Sequence, residues 1–263
     1  MNPLKLLRFA LAGYLPFGPR YCVACDNRIW RYMPYRNGSA SVSELLRALN
    51  IVGSDVAHFE CPRCGAHDRE RHLILYMKAS GICDDVRGKR VVHFAPERRL
   101  SRHLQSLGPA DYVACDLFPQ SIGVQTMDIT RMSFADESVD ILIANHVLEH
   151  VDDDRKALCE IVRVLRPGGH AILQTPYCAG LHSTWWDPGI TTADARLAAY
   201  GQEDHVRLYG RDIVERFAAS GLNPQVSTHE ELLPKLDIDL HGVNASEPFF
   251  RFVKPRVPRL GAC

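Results

Sequence analysis

Residues 127–176 read MDITRMSFADESVDILIANHVLEHVDDDRKALCEIVRVLRPGGHAILQTP, and no other stretch constrains the fold as tightly. Val139 to Ala144 (VDILIA) is a short, mostly apolar run of the kind that predicts a strand buried in a parallel sheet. From Asp152 to Arg166, Leu158, Ile161, Val162 and Leu165 recur at helical spacing. Acidic residues crowd the start of that helix, and Arg163 and Arg166 close it, the charge order a helix dipole favours. Pro167-Gly168-Gly169 is expected to stop it, and Ala171 to Thr175 to form the next strand. Strand, crossover helix and strand in this order make one right-handed unit of a doubly wound sheet.

The flanking sequence extends the unit. Arg90–Ala95 reads as a first strand and Glu97–Leu107 as its helix. Asp111–Cys115 is a second strand with Asp116 at its carboxyl end, and Val124–Met127 a third with Asp128 at its end. Residues 177–209 form a long excursion. Arg211–Ser220 reads as a helix ended by Gly221, and Pro224–Thr228 and Phe249–Val253 as the last strands. With 46% hydrophobic residues among 263, the chain can bury a substantial core. Its 31 basic and 31 acidic side chains cancel, so it carries no clear nucleic-acid footprint. No apolar run reaches the length of a transmembrane segment.

The N-terminal side has a different character. Residues 1–20 read as an amphipathic leader: Lys5 and Arg8 break an apolar run too short for a secretion signal. Cys22-Val23-Ala24-Cys25 and Cys61-Pro62-Arg63-Cys64 then form two Cys-x-x-Cys knuckles, with residues 26–60 between them. Each knuckle turns two thiolates to one side, and two knuckles complete a tetrahedral set for a structural zinc ion. A closed set of four thiolates leaves no open position for catalysis. His67 and His72 offer an alternative set with Cys61 and Cys64. The module holds a polar turn at Arg36-Asn37-Gly38-Ser39 and a short helix over Val42–Leu49, and residues 66–80 predict a connecting helix. Nine cysteines, four of them paired in this way, fit a reducing, cytoplasmic setting better than secreted disulfides.

The pattern DIT-x-x-SF-x-D-x-S-x-D-x-x-x-x-NHVLEHV, followed by RVLRPGG and a strand ending at Pro176, resembles class I S-adenosylmethionine (SAM)-dependent methyltransferases. The resemblance covers roughly residues 90–255. It implies a Rossmann-like, doubly wound, seven-stranded, mostly parallel sheet with SAM across the carboxyl ends of its strands. The segments HFAPE, CPRCG-x-x-x-R-x-R and GQEDHVRLYG resemble a subgroup with an N-terminal zinc-ribbon-like module. The resulting division is a leader at 1–20, the module at 21–65, a linking helix at 66–89, the methyltransferase domain at 90–255 and a tail at 256–263.

A dinucleotide pocket needs glycines where a strand feeds a helix N-terminus, so that the backbone can cradle pyrophosphate. Here that turn is Val92-His93-Phe94-Ala95-Pro96-Glu97-Arg98-Arg99, with no glycine, which argues against NAD. It also departs from the usual methyltransferase turn and puts the contact to the amino-acid end of SAM in question. The resemblance places Ala95 and Glu97 there; Glu97 either accepts from the SAM ammonium or favours the start of the helix. Asp116 suits the two ribose hydroxyls, since a carboxylate accepts both bonds, with Leu117 beside it. In the family, an Asp at the position of Asp128 accepts from the adenine amino group, and Ile129 supplies a backbone N–H and an apolar contact. Asn145 and His146 follow the fourth strand, at the methyl-donor end; His146 is either a pocket residue or a packed loop histidine. Glu149 and His150 of VLEHV read mainly as architecture.

Methyl transfer is an in-line displacement at an activated sulfonium, and alignment alone can supply about 7–11 kcal/mol. A base is needed only where the acceptor loses a proton. The excursion, with His182, Trp185, Trp186, His205 and Tyr209, is expected to cover the acceptor. His205 is the candidate base, with Tyr209 and His146 beside it. The acceptor class favoured by the subgroup is a small molecule or glycan precursor. A SAM-binding regulatory or scaffold protein, or a ribbon-guided protein or nucleic-acid methyltransferase, are the alternatives.

Overall fold

The computed structural model describes residues 3–36, 38 and 42–257. Asn37 and Ser39 of the expected polar turn, and Cys263 with most of the tail, lie outside the described residues. Helix α1 (Pro3–Tyr14) precedes a hairpin of β1 (Arg20–Cys22) and β2 (Asn27–Ile29). Next come α2 (Glu44–Ala48), β3 (Ile51–Val52), α3 (Asp68–Ala79) and α4 (Ile82–Asp85). The sheet domain continues through β4 (Arg90–Phe94), α5 (Arg98–Ser106), β5 (Asp111–Asp116), β6 (Val124–Thr126), β7 (Val139–Ala144), α6 (Asp154–Val164) and β8 (Leu165–Ile172). It closes through β9 (Tyr177–Cys178), α7 (Ala193–Tyr200), α8 (Ile213–Ala218), β10 (Asn223–Pro224), α9 (His229–Leu232), α10 (Ile238–His241) and β11 (Arg251–Val253). No helix is long and apolar enough to cross a membrane among the described residues.

Seven strands form one sheet in the order β10-β11-β8-β7-β4-β5-β6. The pairs β5–β6, β4–β5, β4–β7 and β7–β8 are parallel; β11 runs antiparallel to β8 and β10. The α/β, seven-stranded, mostly parallel architecture expected from the sequence is therefore present. Alternating side chains serve opposite faces, as the pleat requires. Val92, Leu142, Ala144 and Ala171 pack with α6 and α8, whereas Val91, Ile141, Ile143 and Ile172 pack with α3, α4 and α5.

Three local outcomes differ from the sequence expectation. Helix α6 ends at Val164 rather than Arg166, and β8 starts at Leu165, opposite Val139. Pro167 explains the early stop, because its ring disfavours helical backbone at the preceding Arg166. The excursion is not a bare loop: Thr192 caps α7 by accepting from Ala195 N–H. Its β9 also pairs with β3, so the excursion is stitched to the N-terminal module.

Helix α3 is more than a linker. Asp68 and every residue from Glu70 to Met77 are buried, because the helix lies between the cysteine module and the sheet. Arg71, with no exposed surface, donates to the carbonyls of His58, Phe59, Ala66, His241 and Gly242. Its guanidinium also lies 3.9 Å from the Tyr32 ring centroid. One planar cation thus satisfies carbonyls from the knuckle region and from the C-terminal end of α10, which a lysine could not do.

Candidate active site and cysteine cluster

The carboxyl edge of the sheet collects the residues proposed for the cofactor. Ala95 follows β4 in left-handed backbone, φ 47°, a conformation that costs an alanine roughly 1–2 kcal/mol relative to its right-handed form. The chain therefore makes the turn that glycine makes elsewhere, without glycine. Glu97 sits next, at the N-cap of α5, but gives no side-chain cap. Its carboxylate instead accepts from Asn145 Nδ2 at 2.7 Å, faces His93 Nε2 at 3.2 Å and pairs with Arg69 at 3.5 Å. Burial opposes its ionisation, but His93 and Arg69 outweigh burial and hold its carboxyl below the usual range. The free N–H groups of α5 are capped from the module side. Glu70 Oε1 accepts from Arg99 N and Leu100 N, and Arg99 Nε donates to the Cys64 carbonyl. Neither Arg69 nor Glu70 was singled out for this role in the sequence; the R-x-R spacing was the available signal.

Asp116 ends β5 and accepts from Phe118 N at 2.8 Å, a tight Asx turn that aims the loop. Asp128 accepts from both Thr130 N and Thr130 Oγ at 2.8 Å. A cleft of about 440 Å³ opens at Asp128, lined also by Leu117, Thr126, Met127, Arg131 and Ser133. Ile129 is buried, while Leu117, which lines the cleft, is half exposed. A larger cavity, about 550 Å³, lies between α6 and α8 around Leu158, Asp212 and Ser220, none of them a strand-end residue.

Beyond β7 the chain turns sharply. Asn145 is buried with Oδ1 unpartnered, and His146 has φ 56°. His146 Nδ1 lies 3.4 Å from Glu149 Oε1 and its Nε2 3.6 Å from Glu247 Oε1. Burial alone would lower the His146 pKa; the two carboxylates outweigh it and raise it to about 9. Glu247 also meets His72 Nδ1 at 3.3 Å and accepts from Gln174, and His72 continues to His229 at 3.0 Å. Glu247 stands in a loop with no periodicity or motif, so nothing in the sequence pointed to it.

His205 is buried, with Nδ1 3.2 Å from the Tyr200 carbonyl and Nε2 unpartnered. Val206 N donates to the Glu149 carbonyl, which brings the excursion against the end of β7. Tyr209, expected at the methyl end, is placed elsewhere. It is fully buried, and its hydroxyl is bonded to Asp154 Oδ2 at 2.9 Å and to the Leu148 carbonyl. Asp154 also binds Arg207 and, through both oxygens, Arg216 at 2.6 Å. That buried charge needs every donor around it, so the Tyr209 hydroxyl is committed to structure. Trp185 packs on Tyr200 within the excursion's own core, whereas Trp186 is exposed.

In the N-terminal module, Cys22, Cys25, Cys61 and Cys64 bring their sulfurs within 4.8 Å of one another, all as free thiols. Cys22 and Cys64 Sγ are 3.8 Å apart. A tetrahedron with metal–sulfur bonds of about 2.3 Å has edges of about 3.8 Å. Ala66 N points at Cys64 Sγ, the backbone donation that a thiolate at a knuckle receives. His67 and His72 are not part of this set. His67 stacks on Phe59, and His72 stacks on Tyr76 between Glu247 and His229.

Strand order and the acidic residues near successive strand ends agree with the class I SAM-dependent methyltransferase domain that the sequence pattern resembles. Residues 96–173 match the family described as "Methyltransferase domain". An uncharacterized methyltransferase of Mycobacterium sp. (strain JLS) is 50% identical over 105 residues, 38% of this chain and 41% of that protein. One from Mycobacterium avium (strain 104) is 32% identical over 113 residues, 38% of this chain and 42% of the relative. The chain thus spans less than half the length of these curated relatives. Among solved structures, the CurJ carbon methyltransferase aligns with TM-score 0.45 at 16% identity, over 71% of this chain and 55% of that one.

Proposed function

We propose that this protein is a methyltransferase that binds SAM along the ends of β4, β5, β6 and β7 and methylates a small molecule or glycan precursor held beneath residues 177–209. The observation that carries the reading is the pair of aspartates at adjacent strands, Asp116 closing β5 and Asp128 just beyond β6 in a cleft that Leu117 also lines. Asp116 would take the ribose hydroxyls and Asp128 the adenine amino group, with Leu117 and Ile129 against the ring. SAM supplies an activated methyl group; the chain's task is to align it and exclude water. Asn145 Oδ1, buried and unpartnered beside the left-handed turn at Ala95, suits the SAM ammonium. Glu97, already engaged by His93, Arg69 and Asn145, orients Asn145 rather than meeting the cofactor directly.

The four cysteines suit a structural zinc ion in a reducing, cytoplasmic compartment, since their spacing matches a tetrathiolate and their coordination would be closed. Through Glu70 and Arg99 that module braces the first turn of α5, so the zinc would support the cofactor site at one remove. A small acceptor is the class that the subgroup resemblance favours, and the excursion that would cover it is pinned to the module by β3–β9 pairing and to α6 by Asp154.

Calorimetry tests the cofactor assignment: SAM and S-adenosylhomocysteine should bind and NAD should not. Asp128→Ala should weaken SAM by about 1.5–3 kcal/mol, the scale of a hydrogen bond to a charged group. Unaltered affinity would remove Asp128 from the site. Incubation with methyl-labelled SAM and fractionated lysate then separates catalysis from mere binding; SAM binding with no label transferred to any fraction would favour the scaffold reading.

A further inference from the structure

Two motifs that the cofactor does not use, VLEHV and GQEDHV, meet in space. Glu149 and His150 come from the short 3-10 turn Leu148–His150 after β7, and His205 from the segment that follows α7. The backbone bond from Val206 N to the Glu149 carbonyl, 2.9 Å, locks the two segments side by side. We propose that Glu149, His150 and His205 form a second metal site, for a divalent first-row transition ion such as zinc or cobalt(II), distinct from the cysteine cluster.

The donor set is two imidazoles and one carboxylate, and one ligand atom from each lies within 4.8 Å of the others. Bonds of about 2.0–2.2 Å would need ligand separations of about 3.3–3.6 Å in a tetrahedral site, which modest side-chain rotation reaches. The rings are already oriented. His205 Nδ1 is 3.2 Å from the Tyr200 carbonyl and His150 Nδ1 is 3.2 Å from Asp204 Oδ2. A carbonyl or carboxylate on Nδ1 fixes the tautomer that leaves Nε2 free to ligate, the usual outer support of a metal-bound histidine. The His205 and His150 rings meet edge to face, 4.7 Å between centroids.

The unpaired atoms point the same way. Glu149 is 1% exposed, and neither of its oxygens has a hydrogen-bond partner; His205 is 5% exposed with Nε2 unpartnered. Leaving such polar atoms buried and unpaired costs about 1–3 kcal/mol each, more when charged. A cation bound between them removes that cost. His146 Nδ1, 3.4 Å from Glu149 Oε1, pairs with it as an ion but makes no hydrogen bond to either oxygen. The His150 side chain is 32% exposed, which gives the ion a route in. Three protein ligands leave one position open, as reactive rather than structural sites do. An acceptor hydroxyl could take that position.

Metal counting tests this on the full chain. After equilibration with zinc and removal of excess ion, elemental analysis should find two zinc ions per wild-type chain and one in Glu149→Gln, His205→Gln and His150→Ala. His150→Ala, on the exposed side, is the variant least able to disturb folding; circular dichroism checks all three. Cobalt(II) separates the sites by colour. The intense thiolate-to-cobalt band should persist in the variants, while the weaker bands of a nitrogen- and oxygen-ligated cobalt should vanish. One zinc per wild-type chain, or two in a folded His150→Ala variant, would overturn the proposal. SAM affinity, read by calorimetry on the exposed-side His150→Ala variant, should match wild type, so the outcome stands apart from the methyltransferase reading.

Discussion

Asp154→Asn is the perturbation with the clearest predicted consequence. The Asp154 carboxylate is buried and accepts from the Arg216 fork at 2.6 Å and from Tyr209 at 2.9 Å, and it pairs with Arg207, itself 3% exposed. Burial disfavours the charged form; Arg216 and Arg207 outweigh burial and hold the pKa down to about 2, from an ordinary 3.8. A depression of about two units is worth about 2–3 kcal/mol of folding free energy. Its sign follows from linkage. A carboxyl with a depressed folded pKa stabilises fully above its unfolded pKa, and the contribution is lost as pH falls through the folded value. Asparagine keeps the shape and removes the charge, leaving Arg207 buried without a counter-charge, so the total cost at pH 7 should reach about 3–5 kcal/mol. Urea unfolding of both proteins from pH 7 down to pH 3 reads the effect. The gap between them should be flat above about pH 5 and shrink below about pH 4. Because Arg207 and Tyr209 tether the excursion, limited proteolysis within residues 177–209 should quicken in the variant. Equal stability at pH 7, or a gap that ignores pH, would refute the account.

Further expectations follow from the turn and the module. Ala95→Gly removes the strain of a left-handed alanine and should raise stability by about 1 kcal/mol by denaturant unfolding, offset in part by glycine's greater unfolded entropy; a loss of stability would mean the turn is not strained. Cys61→Ser should abolish the tetrathiolate cobalt band and, because Glu70 and Arg99 link the module to α5, weaken SAM binding in calorimetry; full SAM affinity without that metal would break the link. Arg71→Lys should destabilise the chain by several kcal/mol in thermal unfolding, since a lysine cannot reach five carbonyls at once, and a change below about 1 kcal/mol would count against the brace.

The sheet was legible because parallel strands buried on both faces leave short apolar runs, and crossover helices leave periodic ones. Val139–Ala144 falls where its residues placed it; β4, β5, β6 and β11 differ by a few residues at their ends, while β8 begins six residues early and β10 overlaps its expected range only at Pro224. The paired knuckles could be named from spacing alone, since they depend on local geometry; the acidic strand ends were visible in the sequence, and the role of Asp128 followed from the family resemblance. Tyr209 could not be placed. Its neighbours in sequence, the histidine and arginine of DHVRLYG, suggest a polar pocket, but Asp154, far off in sequence, claims its hydroxyl.

The chain's local order determined the fold class, the acidic residues near two adjacent strand ends and the four-cysteine set. Each is written within a strand, a turn or a knuckle, where neighbouring residues supply the physics. Only the tertiary structure decided which polar groups are paired and which are left over. Glu70 caps a helix begun by Arg98, Arg71 gathers carbonyls from two distant loops, Glu247 joins His72 to His146, and Glu149 meets His205 across the excursion. Such contacts are set by the demand that buried polar atoms find partners once water is excluded, and those partners come from whatever segment packing brings near, not from the next residue along the chain.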